Sequence, residues 1–587
     1  MGGGAVTLKY PYAFNEERAD CYLSSTGGQV KRNKIALSGV ALLAAGTLAL
    51  AGCAAGGGES DGGGNAGGAA DPDAIITTNG SEPENPLIPT NTNEVGGGKI
   101  LDSIFAGLIY YDADGAPVND MAEEIITEDP QNITVKLKKG QKFTDGEEVT
   151  ADNFIKAWNY GAQSENAQLS GYFFEDIEGF VVDAGDPDNP DDDIFGAQGD
   201  MAGLKQVDDY TFTITLNKPA SDFALRLGYS AFYPLPDAAF ADMEAFGQNP
   251  IGNGPYMIDG ADAWQHDVKI DLVRNDDYQG DRKPANGGLT INFYATQEAA
   301  YADLLSNEVD VIDAIPTNSL AVFTDELGDR AVNQPAAVFQ SFTIGQFLPH
   351  FSGEEGELRR QAISMAINRE EITKTIFSET RTPASDFTSP VIDGWSDSVP
   401  GSEVLDFNAE EAKKLWAQAD AIAPWEGEFK IAYNADGGHD AWVDAVSNQI
   451  KNTLGIEASG DPYPTFQDLR TKVNDRTITT AARSGWQADY PGLYNFLGPL
   501  YATGAGSNDG DYTNPEFDAA IKAGISNPDA AGQLEDFTKA QEILFNDLPA
   551  IPLWYSNVTG GFSENVDNVK FGWNSVPIFY EITKAAK

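Results

Sequence analysis

From Asp73 to the C-terminus, stretches with a two-residue apolar period alternate with stretches of helical period, and no repeat unit recurs. Such a pattern predicts a mixed α/β protein. Ile133, Val135 and Leu137 alternate with Thr134 and Lys136, and Tyr210, Phe212, Ile214 and Leu216 alternate with three threonines, so each stretch predicts a strand with one face in a core. Leu358, Ala362, Ile363, Ala366 and Ile367 fall on one helical face. Asn408 followed by Glu411 predicts a helix start with a capping box before Ala412 to Ala417. With 587 residues the chain exceeds the ~100–200 residues of one ordinary domain, so two or more lobes are expected.

The charge balance excludes several partners. Lys and Arg total 37 against 90 Asp and Glu, a formal net charge of −53, which argues against nucleic acid and anionic lipid. Acidic or Gly-rich loops are expected at 183–200, 281–288 and 504–511. In the first, Asp186, Asp188, Asp191, Asp192 and Asp193 lack the spacing and terminal Glu of a calcium loop, so a solvated loop is the expectation. The three histidines, His266, His350 and His439, lie far apart, and the sequence holds no His-Glu-x-x-His. Neither an enzyme nor a cofactor is expected.

The N-terminal region carries an export address. Lys31, Arg32 and Lys34 precede an uncharged run from Ile35 to Ala51 that ends in Leu50-Ala51-Gly52-Cys53. A basic segment, a short apolar segment and small residues before a cut form a secretory signal, and the run is short for a membrane span. Cys53 stands where bacterial lipoproteins carry the acylated cysteine, so the placement resembles that class and implies a lipid anchor on Cys53. Residues 1–30 have no part in the signal, and translation is expected to start at or near Val30. Cys21 lies in that extension, so the mature chain is expected to keep Cys53 alone and to form no disulfide. Loss of residues 1–52 removes five basic and three acidic side chains and takes the formal charge to −55. Residues 53–72, rich in Gly, Ala, Ser and Asp, read as a flexible tether.

Several blocks resemble one family when taken in order. They are Asn79 to Glu82, Ile104 to Leu108, Val135 to Gly146 with Val149 to Asp152, Gly252 to Tyr256, Leu358 to Arg369, Arg483 to Tyr490 and Leu548 to Leu553. Singly each is a turn, a loop or a core helix; their order across the mature chain resembles family 5 of the substrate-binding proteins of ABC transporters, the oligopeptide- and dipeptide-binding proteins. The resemblance implies an α/β, two-lobed periplasmic-binding-protein-like fold with a hinge, in the large form with an extra subdomain (cluster C type). It implies that 73–107, 204–340 and 555–587 build lobe I, 108–203 an extra subdomain of lobe I, and 341–554 lobe II.

It also implies a monomer that captures a peptide between the lobes, closes by hinge motion and delivers the peptide to the permease subunits of an ABC importer outside the cell membrane. In this reading Asp489 takes the peptide's α-ammonium group, Gly485, Trp486 and Gln487 form a strand that pairs with its backbone, and Trp486 lines a pocket. Arg483 matches a residue that approaches a peptide carboxylate, and Asn93, Glu94 and Val95 match a second pairing strand on the other lip. There Gly96, Gly97 and Gly98 replace the more structured family pattern. Without the resemblance, Trp486 fits a core position and Asp489 a turn or cap. Oligosaccharide, nickel and haem capture occur on the same fold; scarce His disfavours the last two, while nine Trp suit sugars.

Overall fold

The computed structural model describes residues 70–183, 194–464 and 466–586. The export signal, Cys53, nearly all of the tether and the Asp186–Asp193 run lie outside the described residues. Among the described residues, no helix is long and apolar enough to cross a membrane.

The described body is built on a twelve-stranded mixed sheet. Its main strands are β1 (Ile75–Gly80), β2 (Tyr256–Ile258), β3 (Lys269–Arg274), β4 (Gly288–Phe293), β5 (Val311–Ile312), β6 (Ala331–Thr343), β7 (Glu428–Asn434), β8 (Glu457–Tyr463), β9 (Ala481–Gln487) and β10 (Ala550–Phe562). They lie in the order β2-β3-β4-β1-β5-β10-β6-β9-β7-β8. Two apolar cores divide this sheet. One gathers Ile76, Ile270 and Leu289 with Ile100, Ile104, Phe154 and Trp158; the other gathers Phe429, Ile431 and Ile551 with Ile363, Val443, Phe496 and Leu497. This is the two-lobed α/β architecture expected from the sequence.

The strands β6 and β10, 13 residues each, run through both lobes. At one end β10 pairs with β5, through Gly561 and Phe562, while at the other end β6 pairs with β9. Between these ends the register shifts, so Ala336 and Ala337 of β6 have no partner in β10. Ala337 instead accepts from the Ala488 N–H and donates to the Trp573 carbonyl, each at 3.0 Å. The bulge therefore ties the strand that joins the lobes to the residue just before Asp489.

The two alternating stretches form neighbouring antiparallel strands, Asn132–Leu137 and Thr211–Thr215, with Val135 opposite Phe212. Ile133, Val135, Leu137, Phe212 and Ile214 are all buried, as their period requires. Asn408 caps Ala409–Ile422 by accepting the Glu411 N–H at 3.1 Å. The expected box is incomplete, because the Glu411 carboxylate pairs with Lys414 at 2.9 Å.

The helix Gly353–Met365 departs further from its apolar pattern. It buries Arg359 and Arg360 as well as Ala362 and Ile363. Arg360 donates to the carbonyls of Asp547 and Phe351, both at 2.6 Å, and burial pulls its guanidinium down to about 10. Buried charge is tolerated where each N–H finds an oxygen.

Candidate functional site

One side of the candidate site begins in β9. In an antiparallel pair, the main-chain groups of one residue face the partner strand and those of the next face away. Gln487 pairs with Val338 and Gly485 with Gln340 in register. Since the Ala488 N–H points to Ala337, the alternation turns the main-chain groups of Gly485 and Gln487 to the opposite edge. The parallel strand β7 covers that edge only at Ala481 and Ala482, so from Gly485 to Gln487 it carries no paired strand among the described residues. An extended chain can add there.

Beyond β9 the backbone passes Asp489, Tyr490 and Pro491 into helix α2 (Leu493–Tyr501), whose Asn495 is buried. The Asn495 Oδ1 accepts from the Trp486 Nε1–H and from the Asp489 N–H, both at 3.0 Å. Its Nδ2 donates to Asp489 Oδ2 at 3.1 Å. The Asp489 carboxylate keeps some contact with solvent but is surrounded by protein on most sides. That enclosure strips water from its charged form and pushes it up to about 6, against the opposing hydrogen bond from Asn495. Trp486 is partly buried and packs on the lobe II core while its N–H serves Asn495.

Arg483, at the other end of β9, donates from Nε to His439 Nε2 at 3.0 Å, with its guanidinium 5.2 Å from the Phe466 ring centre. It lies with Thr343, Phe347 and Asp509 around an open hollow.

Lobe I meets the Asp489 segment with aromatic rings and a buried ion network. Tyr490 donates to Asp222 Oδ2 at 2.8 Å, and Asp222 pairs with Arg226 at 2.8 Å. Arg226 also pairs with Asp176 at 2.7 Å, and its guanidinium lies 5.7 Å from the Tyr490 ring and 5.5 Å from the Tyr494 ring. The Tyr111 hydroxyl donates to the Leu225 carbonyl at 2.7 Å. Burial, joined by the charges of Asp102 and Asp489, drives the Tyr111 and Tyr229 phenols far above their ordinary range. The negative charge of Glu94 also reaches Tyr229. The charge of Asp489 thus reaches both tyrosines, and that of Glu94 reaches Tyr229.

The Asn93–Val95 geometry differs from the expected strand. Val95 opens helix α1 (Val95–Ile104), and Glu94 is its N-cap, with both carboxylate oxygens 2.9 Å from the Gly97 N–H. Capping satisfies an otherwise orphaned helix donor and places negative charge at the helix N-terminus. Burial raises the Glu94 carboxyl, against hydrogen bonds from the Gly97, Gly96 and Glu84 N–H groups. Asn93 and Val95 are exposed. Gly96 and Gly97 are close-approach positions, because a Cβ on Gly96 would strike the Ser81 side chain and lie 2.8 Å from its carbonyl, and one on Gly97 would strike Glu94.

The far end of α1 is held by Gly252 to Gly254. Asn253 exchanges two 2.9 Å hydrogen bonds with Ala106, and a Cβ on Gly252 would overlap the Ile104 carbonyl. The Gly252 block is therefore a clasp for the lip helix. Sequence reasoning missed Asn495, Tyr111, Tyr229 and the Asp222–Arg226 pair. Asn495 follows Asp489 by six residues inside an apolar segment, a weak sign of a buried amide; the others carried no local signal. Among the described residues, no group of three or more His, Cys, Asp or Glu side chains could hold a metal ion.

A two-lobed α/β body, with a strand edge at Gly485 to Gln487 that no described strand covers and a mostly enclosed carboxylate two residues beyond it, is one along which an extended solute can lie. The sequence model of the bacterial extracellular solute-binding proteins, family 5, middle region, matches residues 116–508. The chain belongs to that family. It is 26% identical over 539 residues to the periplasmic oligopeptide-binding protein OppA of Escherichia coli (strain K12), covering 89% of this chain and 93% of that one. Among solved structures, the unliganded open form of the periplasmic murein tripeptide-binding protein MppA superposes with a TM-score of 0.74 at 20% identity, over 89% of this chain and 99% of that one. The Haemophilus influenzae OppA complex with the peptide RPPGFSPFR gives 0.66 at 22% identity, over 88% and 100%.

Proposed function

We propose that this protein is an extracytoplasmic receptor that captures peptides with a free amino terminus and delivers them to an ABC importer. The observation that carries the reading is Asp489, a desolvated carboxylate two residues beyond the uncovered edge of β9. A peptide laid along Gly485 to Gln487 would exchange main-chain hydrogen bonds of the kind any sequence can make, and its ammonium group would meet Asp489. A desolvated carboxylate facing an ammonium group makes a charge-assisted hydrogen bond, which selects a free amine over an acylated one. Trp486 bounds a side-chain pocket, and Arg483 approaches a peptide carboxylate.

On the other lip, Asn93, Glu94 and Val95 contact the ligand from the start of α1. Residues 73–107, 204–340 and 555–587 are assigned to lobe I, 108–203 to its extra subdomain and 341–554 to lobe II. The bulge at Ala336 and Ala337 supports a hinge there, and closure around the peptide creates the form that the permease accepts. Lipid on Cys53 would hold the receptor at the outer face of the membrane. The receptor needs no catalytic group, because the importer supplies the energy.

The relative described as a periplasmic oligopeptide-binding protein supports a peptide ligand. Thermal unfolding in the presence of a free-amine peptide library tests the reading. A ligand at 100 times its dissociation constant adds about 2.7 kcal/mol and raises the melting temperature. A shift with oligosaccharides and none with any peptide overturns it.

A further inference from the structure

We propose that Asn495 is a positioning residue for amine capture: its buried amide holds the Asp489 carboxylate and the Trp486 ring in one fixed arrangement. The inference rests on the peptide reading above and assigns a role that no recognition block supplied.

The hydrogen-bond chemistry leaves the amide one orientation. A backbone N–H and an indole N–H can only donate, and an ionised carboxylate can only accept. Asn495 meets the two donors, Asp489 N and Trp486 Nε1, with its oxygen, and meets Asp489 Oδ2 with its nitrogen. Turning the amide over would oppose donor to donor twice and acceptor to acceptor once. Asn495 is 3% exposed, so water cannot repair such a mismatch. Its place in the first turn of α2 fixes its backbone, and the three bonds fix its side chain.

Neutrality of the amide matters as much as its geometry. Among the described residues, Asn495 makes the only hydrogen bond to the Asp489 carboxylate, and it occupies Oδ2 alone. Oδ1 is left for a ligand. An arginine or lysine in this place could donate to Asp489 but would leave both N–H donors without an acceptor and would neutralise the charge that an ammonium group needs. The Asp489 charge is felt by the Tyr111 and Tyr229 phenols, and burial keeps both protonated through the neutral range. The Asp489 charge is therefore held by one neutral donor and left for the incoming cation.

Two variants of the full chain test the assignment, each titrated by calorimetry with a free-amine tripeptide and its N-acetyl twin between pH 5 and 8. Asn495→Asp keeps an oxygen for both N–H donors but sets a second carboxylate against Asp489, and like charges at such range share a proton. Its free-amine affinity at pH 6.5 is expected to fall roughly tenfold or more, with the pH midpoint of binding raised by about one unit or more. Asn495→Leu removes all three bonds, and its preference for the free amine over the acetyl twin is expected to shrink at least tenfold while residual binding persists. Variants that lose affinity for both twins equally, or that keep the wild-type preference and pH midpoint, overturn the positioning role. If the wild-type protein itself binds both twins alike, the amine-capture reading falls and this assignment falls with it. If the wild type discriminates and the variants match it, only this assignment is lost.

Discussion

On the side formed by β9 and α2, the groups proposed to recognise a ligand are side chains and main chain at a strand edge that no described strand covers, with Asp489 held by Asn495 and enclosed by protein. On the lip formed by α1, the corresponding residues are spent on the helix itself: Glu94 caps it, and Gly96 and Gly97 let it press against Ser81 and Glu94. Both lips carry a carboxylate whose proton is held more tightly than usual because burial penalises its charge. They differ in what opposes that penalty. Glu94 receives main-chain N–H groups of its own helix, whereas Asp489 has one amide and an unoccupied oxygen. A carboxylate already committed to a helix end has little left for a ligand, so the comparison makes β9 and Asp489 the specific side and α1 the shaping side.

The largest expected effect breaks that division directly. Asp489→Ala should weaken free-amine peptide binding by on the order of 2–5 kcal/mol, as deletion of one partner of a buried charge pair does, and should leave N-acetyl peptides nearly unaffected. Calorimetry showing unchanged free-amine affinity would move the specific side elsewhere. A smaller effect sharpens the account of α1. Gly96→Ala puts a methyl group into the Ser81 side chain and should cost about 1–3 kcal/mol of stability in chemical denaturation. Two residues on, Gly98 has nothing within 4 Å of a built Cβ. Gly98→Ala should therefore stabilise the protein by about 0.4–1 kcal/mol, because it restricts the unfolded chain at no steric cost. Equal effects at the two positions would mean that the glycines serve as a loose linker and not as a packed helix start.

Those glycines also mark where sequence reasoning stopped. Three in a row read as a loss of structure, and only the proximity of Ser81 and Thr92 explains why two of them are required. The alternating strands were legible because a period of two is a property of the chain alone, and Val135 and Phe212 pair as that period demands. The Asn408 cap was legible for the same local reason, while the second half of its box went to Lys414. Buried Arg360 was not legible, since the carbonyl of Asp547 that satisfies it comes from 187 residues away. Asp489 was marked by its block, but Tyr111 and Tyr229, whose phenols feel its charge, lie hundreds of residues away in the chain. The direction of main-chain groups at Gly485 and Gln487 depends on the pairing with β6, which no single segment encodes.

The central claim is that Asp489 captures an ammonium group, and the pH dependence of peptide affinity tests it most directly. With its carboxyl pushed up to about 6 in the ligand-free protein, Asp489 is protonated below that pH and charged above it. An ammonium ligand favours the charged form, so binding below about pH 6 must expel a proton and is weakened, and affinity rises as pH increases through about 6. Above about 7.7–8.0 the peptide α-amine loses its own proton, so affinity falls again. Calorimetry of one peptide and its N-acetyl twin from pH 5 to 9 should give an affinity maximum between these limits for the free amine and a weak, flat profile for the twin. Equal affinities for the two, or a free-amine profile with no rise near pH 6, would contradict the account.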